Sequence, residues 1–335
     1  MKMKHRNIAL FVPHAGCPHQ CSFCNQRTIS GKAQPLTAAE VHSAAQLALS
    51  SGGRGGEIAF FGGSFTAIDR EYMLSLLKAA HGYIEDGSFD SIRISTRPDA
   101  IDDEILDLLE YYGVANIELG VQSLDDEVLS LNERGHTAAT AERAARLIKA
   151  RGFSLGLQMM TGLLGDDGSQ SLQTAKKIIS LEPDFVRIYP TVVLEGTRLF
   201  ELWQEGRYRA QTIEQAVELC SELLLLFHSA SIPVIRLGLH SGGSVDEGFA
   251  AGAYHPALRE LCEGRIYLTR ALELLSKEQA GDYCLAVAPS EISKLIGQKK
   301  CNLAALRHEG YSCRVLPCEG LKKYEIQIMR NIDVS

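Results

Sequence analysis

From residue 8 to about residue 237, short apolar runs alternate with longer stretches of helical periodicity. The runs fall at Ile8–Val12, 57–61, 91–95, 116–121, 154–160, 185–189 and 233–237. Each is short and mostly apolar or alternates apolar with polar residues, as a strand covered by helices would be. Between them, Ala38–Ser50, 69–84, 102–112, 137–151, 169–181 and 212–229 read as amphipathic helices. Thr37 is placed to cap the first of these. In 102–112, Ile105, Leu106, Leu108 and Leu109 form one broad apolar face. Repeated βα units imply a parallel sheet with right-handed crossovers. Six such units predict an α/β fold of the partial (β/α)6, TIM-like barrel type, with a doubly wound sheet as the alternative.

The positions just after the runs favour the barrel. Gly62-Gly63-Ser64, Thr96-Arg97-Pro98-Asp99, Gln122-Ser123 and Thr161-Gly162 each follow a predicted strand. A parallel barrel gathers all such positions on its C-terminal rim. A doubly wound sheet would bring only two or three together at its switch point. After about residue 239 the pattern changes. A loop signal, His240-Ser-Gly-Gly-Ser-Val, precedes one long helix at 259–278. The order strand 283–287, helix 291–296, helix 302–308, strand 312–316 and strand 324–329 then predicts a small α+β module. The expected domains are therefore a barrel at 1–240 and an extension at 241–335.

Hydrophobic residues make up 45% of the 335 residues and charged ones 22%, as in ordinary soluble chains. No apolar run is long enough to span a bilayer, and the one after the basic N-terminus is too short for a signal-peptide core. The chain is expected to be cytoplasmic, with no membrane partner. Nine cysteines in that setting read as metal ligands or buried thiols rather than disulfides. The net charge is −7, yet residues 290–330 carry eight basic and four acidic side chains, a local +4. A basic module on an acidic body fits a polyanionic partner or a solvated lysine-rich surface.

Cys17-Pro-His-Gln-Cys21-Ser-Phe-Cys24 is the strongest chemical signal. Three thiolates on a tight loop after the first strand can hold three irons of a 4Fe–4S cluster. The fourth iron stays open to the amino and carboxylate groups of a small molecule, whose weak bond an electron from the cluster can break. Phe23, just before the last cysteine, can shield such a cluster and pack near an aromatic base. Two other chemistries use these residue types. One is a zinc site completed by His14 or His19, and the other is a redox pair at Cys21 and Cys24. Both leave the strand-end signals unexplained.

This C-x3-C-x2-C spacing, with an aromatic before the last cysteine, resembles the signature of the radical S-adenosylmethionine (SAM) superfamily. The resemblance implies Cys17, Cys21 and Cys24 as cluster ligands and SAM as the bound molecule. It also implies an external electron donor and reductive cleavage to a 5′-deoxyadenosyl radical. It carries SAM contacts to Gly62, Gly63, Ser95, Gln122, Arg134 and Gln158. Ser64 stands where the family often has Glu. Residues 8–210, through FFGGSFTAI, STRPDAI, IELGVQSLDDEVL and Glu182-Pro-Asp-Phe-Val-Arg-Ile-Tyr-Pro190, resemble the catalytic subunit of Elongator, which modifies the wobble uridine of tRNA. Its acetyltransferase domain is not expected here, because the chain ends too early to hold one. The implied activity is modification of tRNA or another RNA. The alternative is a small molecule such as a tetrapyrrole, since coproporphyrinogen III oxidase shares the Gly-Val-Gln pattern around Gln122. Tyr189 can face the substrate or serve as a buried tyrosine beside a structural proline.

In the C-terminal module, Gly297-Gln298-Lys299-Lys300 lies between two predicted helices. The segment at about 282–330 resembles a KH domain, whose GxxG loop clamps a nucleic-acid backbone. The second glycine is absent, but Lys299 and Lys300 can attract phosphate. The other reading is a small cap that keeps solvent from a radical intermediate.

Overall fold

A computed structural model describes residues 7–12, 21–25, 34–62, 64–239 and 244–329. The chain divides into two compact units, Met1–Thr212 with Leu226–Tyr254, and Ile213–Leu225 with His255–Ser335.

The first unit is built on β1 (Ile8–Val12), β2 (Glu57–Gly62), β3 (Ser91–Thr96), β4 (Val114–Gln122), β5 (Ser154–Thr161), β6 (Phe185–Pro190), β7 (Val192–Leu194), β8 (Val234–Leu237) and β9 (Phe249–Gly252). Seven of these form one sheet in the order β1-β2-β3-β4-β5-β6-β8. Every pair in it is parallel. The order follows the sequence without the reversal that marks a doubly wound sheet. The sheet also curls strongly. Phe61 on β2 and Arg187 on β6 are four strands apart, roughly 19 Å in a flat sheet. Yet the Arg187 guanidinium lies 5.2 Å from the Phe61 ring centre. Arg93 on β3 lies 4.8 Å from the ring of Phe185 on β6. Only a strongly curled sheet permits both contacts, and the seven strands form the expected half-barrel.

Helices cover the convex face. Ile58, Phe60, Ile92, Ile94, Ile117, Leu119, Leu155, Leu157, Val186 and Ile188 are fully buried there, at every second strand position. Opposite them lie Leu76 and Leu77 of Arg70–Glu85, Leu106 and Leu109 of Asp103–Tyr111, and Ala141, Ala145 and Ile148 of Ala138–Ala150. Each helix begins at a side chain that answers its unpaired N–H groups. Thr37 makes a reciprocal capping box with Glu40, and Asp69, Asp102, Asp125, Thr137 and Thr197 cap the later helices.

Elements absent from the sequence reading are short. They include the helices Asp126–Leu131, Arg198–Gln204 and Ser244–Gly248, and an antiparallel ribbon of β7 with β9. Three to seven residues carry too little periodicity to announce themselves.

In the second unit, the helix Leu258–Leu275 and the short helices Ile292–Ile296 and Cys301–His308 accompany a three-stranded sheet. Its strands are β10 (Gly281–Val287), β11 (Tyr311–Pro317) and β12 (Gln327–Met329), in the order β11-β10-β12. The strand expected at 324–329 begins only at Gln327. Tyr324 adopts φ +66°, and its buried ring packs 5.8 Å from that of Tyr267. A ring anchored in the core bends the chain away from the ladder. Among the described residues, no helix is long and apolar enough to cross a membrane.

Candidate active site

The concave face is lined by the alternate strand positions that the helices do not cover. A charged layer crosses it. Arg93 pairs with Glu57 at 2.7 Å and with Glu118 at 2.9 Å. Arg187 grips both oxygens of Glu118, at 2.6 and 2.8 Å. Burial opposes the charge on Arg187, but Glu118 beside it holds the guanidinium above its ordinary pKa. Phe61 and Phe185 pack against these guanidinium planes, so the layer plugs the barrel below its rim.

Above the plug, the strand ends bring the expected polar residues together. Gln158 donates to Gln122 Oε1 at 3.1 Å. Gln122 has φ +64°, and the β4–β5 register shifts between Gly120 and Gln122. Such a bulge re-aims the side chain that follows it. Arg134 donates from Nη2 to the Gly120 carbonyl and from Nη1 to Cys21 Sγ at 3.4 Å. Its Nε is buried without a hydrogen-bond partner among the described residues. A Cβ added to Gly120 would sit 2.9 Å from Gln122 Nε2 and 3.1 Å from Arg134 Nη2, so a side chain there would push the tips of these two residues aside. Gly62, at φ +111°, abuts β1 so closely that a Cβ would lie 2.5 Å from the Val12 carbonyl oxygen. Ser64 is buried at the N-terminus of the turn Phe65–Ala67. Ser95 sits on the concave face, in register with Glu118. Tyr189 is half-buried on the same face, within hydrogen-bonding reach of Arg187.

The cysteine turn docks on this rim. Cys24 N–H donates to the Cys21 carbonyl at 3.0 Å, which closes a tight turn. Ser22 is bound through backbone and side chain to Asn132, and its carbonyl accepts from Leu199 N–H at 2.7 Å. Asn132 in turn bonds Val128 and Leu164. Phe23 packs on the apolar cluster of Val193, Leu199, Leu202 and Tyr208. Cys17 and Gly63, with His14 and His19 of the zinc alternative, lie outside the described residues. No three metal-ligating side chains converge among the described residues. The donors fit an iron–sulfur group nonetheless: two thiols one turn apart, a guanidinium on one sulfur, an unanswered buried N–H, and glycines where backbone must approach closely.

Two further residues hold the rim in place. Arg97, 1% exposed, bonds both oxygens of Asp99 at 2.8 and 2.9 Å and the Arg134 carbonyl at 2.8 Å. Burial works against the charge on Asp99, but Arg97 holds its carboxyl below the usual range. His136 is buried beside Arg134, Asp99 and Arg97, and neither ring nitrogen finds a well-aligned partner among the described residues. Burial first, and Arg134 next, depress its pKa to about 4, so it is neutral near pH 7.

Sequence reasoning missed Arg93, Glu118 and Arg187 as a unit. A signal was present: each is a single charge flanked by apolar residues in the middle of a strand, as in Ile92-Arg93-Ile94, Ile117-Glu118-Leu119 and Val186-Arg187-Ile188. Lys299 and Lys300 lie in the second unit, both exposed and both at positive φ, between the helices Ile292–Ile296 and Cys301–His308.

Comparison with known proteins bears on all of this. The family model of the radical SAM superfamily matches residues 11–178, and that of the radical SAM C-terminal domain matches 183–270. The tRNA uridine(34) acetyltransferase of Methanocaldococcus jannaschii is 31% identical over 185 residues, 49% of this chain and 34% of that protein. Elongator complex protein 3 of Mus musculus is 28% identical over 225 residues, 58% of this chain and 41% of that protein. The chain thus spans well under half the length of these curated relatives. Among solved structures, the archaeal Methanocaldococcus infernus Elp3 with an N-terminal deletion superposes with a TM-score of 0.62 at 22% identity. That match covers 82% of this chain and 64% of the other, and at such identity it is a likeness of fold.

Proposed function

This chain belongs to the radical SAM superfamily, and from that premise we propose that it binds a 4Fe–4S cluster through Cys17, Cys21 and Cys24, binds SAM across the strand ends, and modifies tRNA or another RNA. The observation that carries the reading is the Cys21–Cys24 turn, docked on the rim with Arg134 donating to Cys21 Sγ. When bound and reduced by an external donor, the cluster supplies the electron that cleaves SAM to a 5′-deoxyadenosyl radical.

The chain's own groups bind and orient. Gly62, Gly63 and the backbone at Ser64 offer close approach to the SAM amino group. Ser95, Gln122 and Gln158 present hydroxyl and amide groups to its ribose and carboxylate, and Arg134 offers its unanswered Nε–H. Phe23, seated on the Leu199 and Tyr208 cluster, covers one side with apolar surface. The plug of Arg93, Glu118 and Arg187 closes the barrel beneath the site and keeps water from entering there. Lys299 and Lys300 are assigned to phosphate contacts with RNA. The curated relatives named for tRNA uridine(34) support an RNA substrate for this chain. Their acetyl-transfer chemistry is not carried over.

The test is mass spectrometry of tRNA nucleosides from a deletion strain and its parent. A nucleoside should disappear on deletion, return with the wild-type gene and stay absent with Cys21→Ala. Purified Cys21→Ala should also lose iron and 5′-deoxyadenosine production. An unchanged nucleoside profile would sink the RNA substrate and turn the search to small molecules.

A further inference from the structure

The charged layer of the half-barrel contains one cation too many. Arg93 and Arg187 are matched by two carboxylates, Glu57 and Glu118. Arg236 on β8 is a third guanidinium on the same face, in register with Arg187. Its Nε donates to the Gly238 carbonyl at 2.9 Å. Its two terminal nitrogens face no carboxylate among the described residues. Among the described residues, the groups that act on its charge are Tyr189, which is half-buried on the concave face, and Arg187 itself.

The backbone takes a special course to put Arg236 there. Val186 pairs with Val234, but the next residue, Arg187, pairs with Arg236 and skips Ile235. In an unbroken ladder Ile235 would face the concave side and Arg236 the opposite one, because a one-residue slip exchanges the two faces of a strand. The bulge leaves Ile235 45% exposed, a poor place for an isoleucine. The same bulge sets the guanidinium groups of Arg187 and Arg236 in register on one face. Burial makes the charge on Arg236 harder to keep, Tyr189 offsets it in part, and the neighbouring Arg187 adds a smaller penalty. An anion between them would relieve that cost.

We propose that Arg236, with Tyr189 beside it, forms an oxyanion subsite on the concave face that holds a phosphate or carboxylate group of the substrate. This rests on the reading of that face as the reaction chamber. A guanidinium fork suits either anion, and its strand β8 lies at the opposite edge of the sheet from β1, the strand that leads into the cysteine segment. An anchored anion there would fix the substrate's reacting carbon without contact to the cluster ligands.

The experiment uses full-length protein with reconstituted cluster and SAM. Uridine 5′-monophosphate and glutarate serve as phosphate and carboxylate probes, with binding followed by ligand-observed NMR. At least one probe should bind the wild type and bind Arg236→Gln about tenfold or more weakly. Arg236→Lys should keep part of the affinity, and added salt should weaken it. The probe that responds identifies the anion. Equal binding to wild type and Arg236→Gln, or no binding of either probe to the wild type, overturns the subsite. Production of 5′-deoxyadenosine by the same wild-type sample is scored separately. Its absence would count against the radical reading, while the binding comparison would stand on its own.

Discussion

Both units bury charged networks, and they use them in opposite ways. On the concave face of the half-barrel, Glu57, Arg93, Glu118 and Arg187 link β2, β3, β4 and β6 in one chain across the sheet, and Arg236 faces no carboxylate among the described residues. In the second unit, Glu263 is the hub. It takes Lys323 at 2.8 Å, Lys294 at 3.1 Å and Arg259 at 3.3 Å, while Glu291 takes Lys294 at 2.9 Å and the Tyr267 hydroxyl at 3.0 Å. Burial pushes the Glu263 carboxyl up, but Lys323 and Lys294 hold it below its ordinary value. Here every buried carboxylate is answered from the helix, the loop and the tail of one small module. A network that closes on itself fastens a fold. A network with an unanswered member offers a site, because a buried polar group without a partner is costly until a ligand arrives.

The largest expected effect comes from breaking each hub. Glu118→Gln would leave Arg187 without a carboxylate and Arg93 with Glu57 alone, and a loss of about 3–5 kcal/mol is expected in denaturant unfolding. Glu263→Gln should cost less, roughly 2–3 kcal/mol, because its lysine partners are partly exposed and can turn to water. Hydrogen exchange should place the first loss in β3–β6 and the second in 258–329. An equal cost, or the reverse order, would erase the distinction between the two networks.

An effect of similar size belongs to His136 and depends on pH. Its folded pKa of about 4 lies below the unfolded 6.5. Above pH 6.5 both states are neutral at this residue and it contributes no pH dependence. As pH falls from 6.5 towards 4, the unfolded chain binds a proton that the folded one refuses, so stability declines across that window. The total is roughly 3 kcal/mol. His136→Gln should flatten the stability profile between those pH values and leave the profile above pH 7 unchanged in slope. A mutant with the wild-type slope would show that His136 is protonated in the folded protein.

The smallest effect tests the exposed loop of the second unit. Lys299→Glu with Lys300→Glu should weaken RNA binding and lower the slope of log affinity against log salt by roughly 0.7 for each phosphate no longer neutralised. SAM cleavage by the same variant should persist. Unchanged RNA affinity would remove the loop from the interface and leave the module with its structural role.

Much of the barrel was legible because local signals agreed. Continuous apolar runs, Thr and Asp caps and glycines after helices each specify the same βα repeat, and the strands and helices lie within a residue or two of their expected bounds. The rim residues were legible by resemblance: Gln122, Gln158 and Arg134 do meet beside Cys21. The layer beneath them was not, because a lone charge in an apolar strand does not say which other strand will answer it.

What the sequence by itself determined is the parallel α/β architecture, the cysteine turn and, by resemblance, the superfamily. These rest on periodicity, capping and spacing, which are properties of neighbours in the chain. What only the tertiary structure decided is where charges meet across the curled sheet. Glu118 and Arg187 are 69 residues apart, and Phe61 and Arg187 sit on strands four apart. Two irregularities of single residues, at Gln122 and at Ile235, choose which side chains face inward. A register shift of one residue leaves almost no trace in the pattern of the strand that contains it, yet it reverses the face that strand presents.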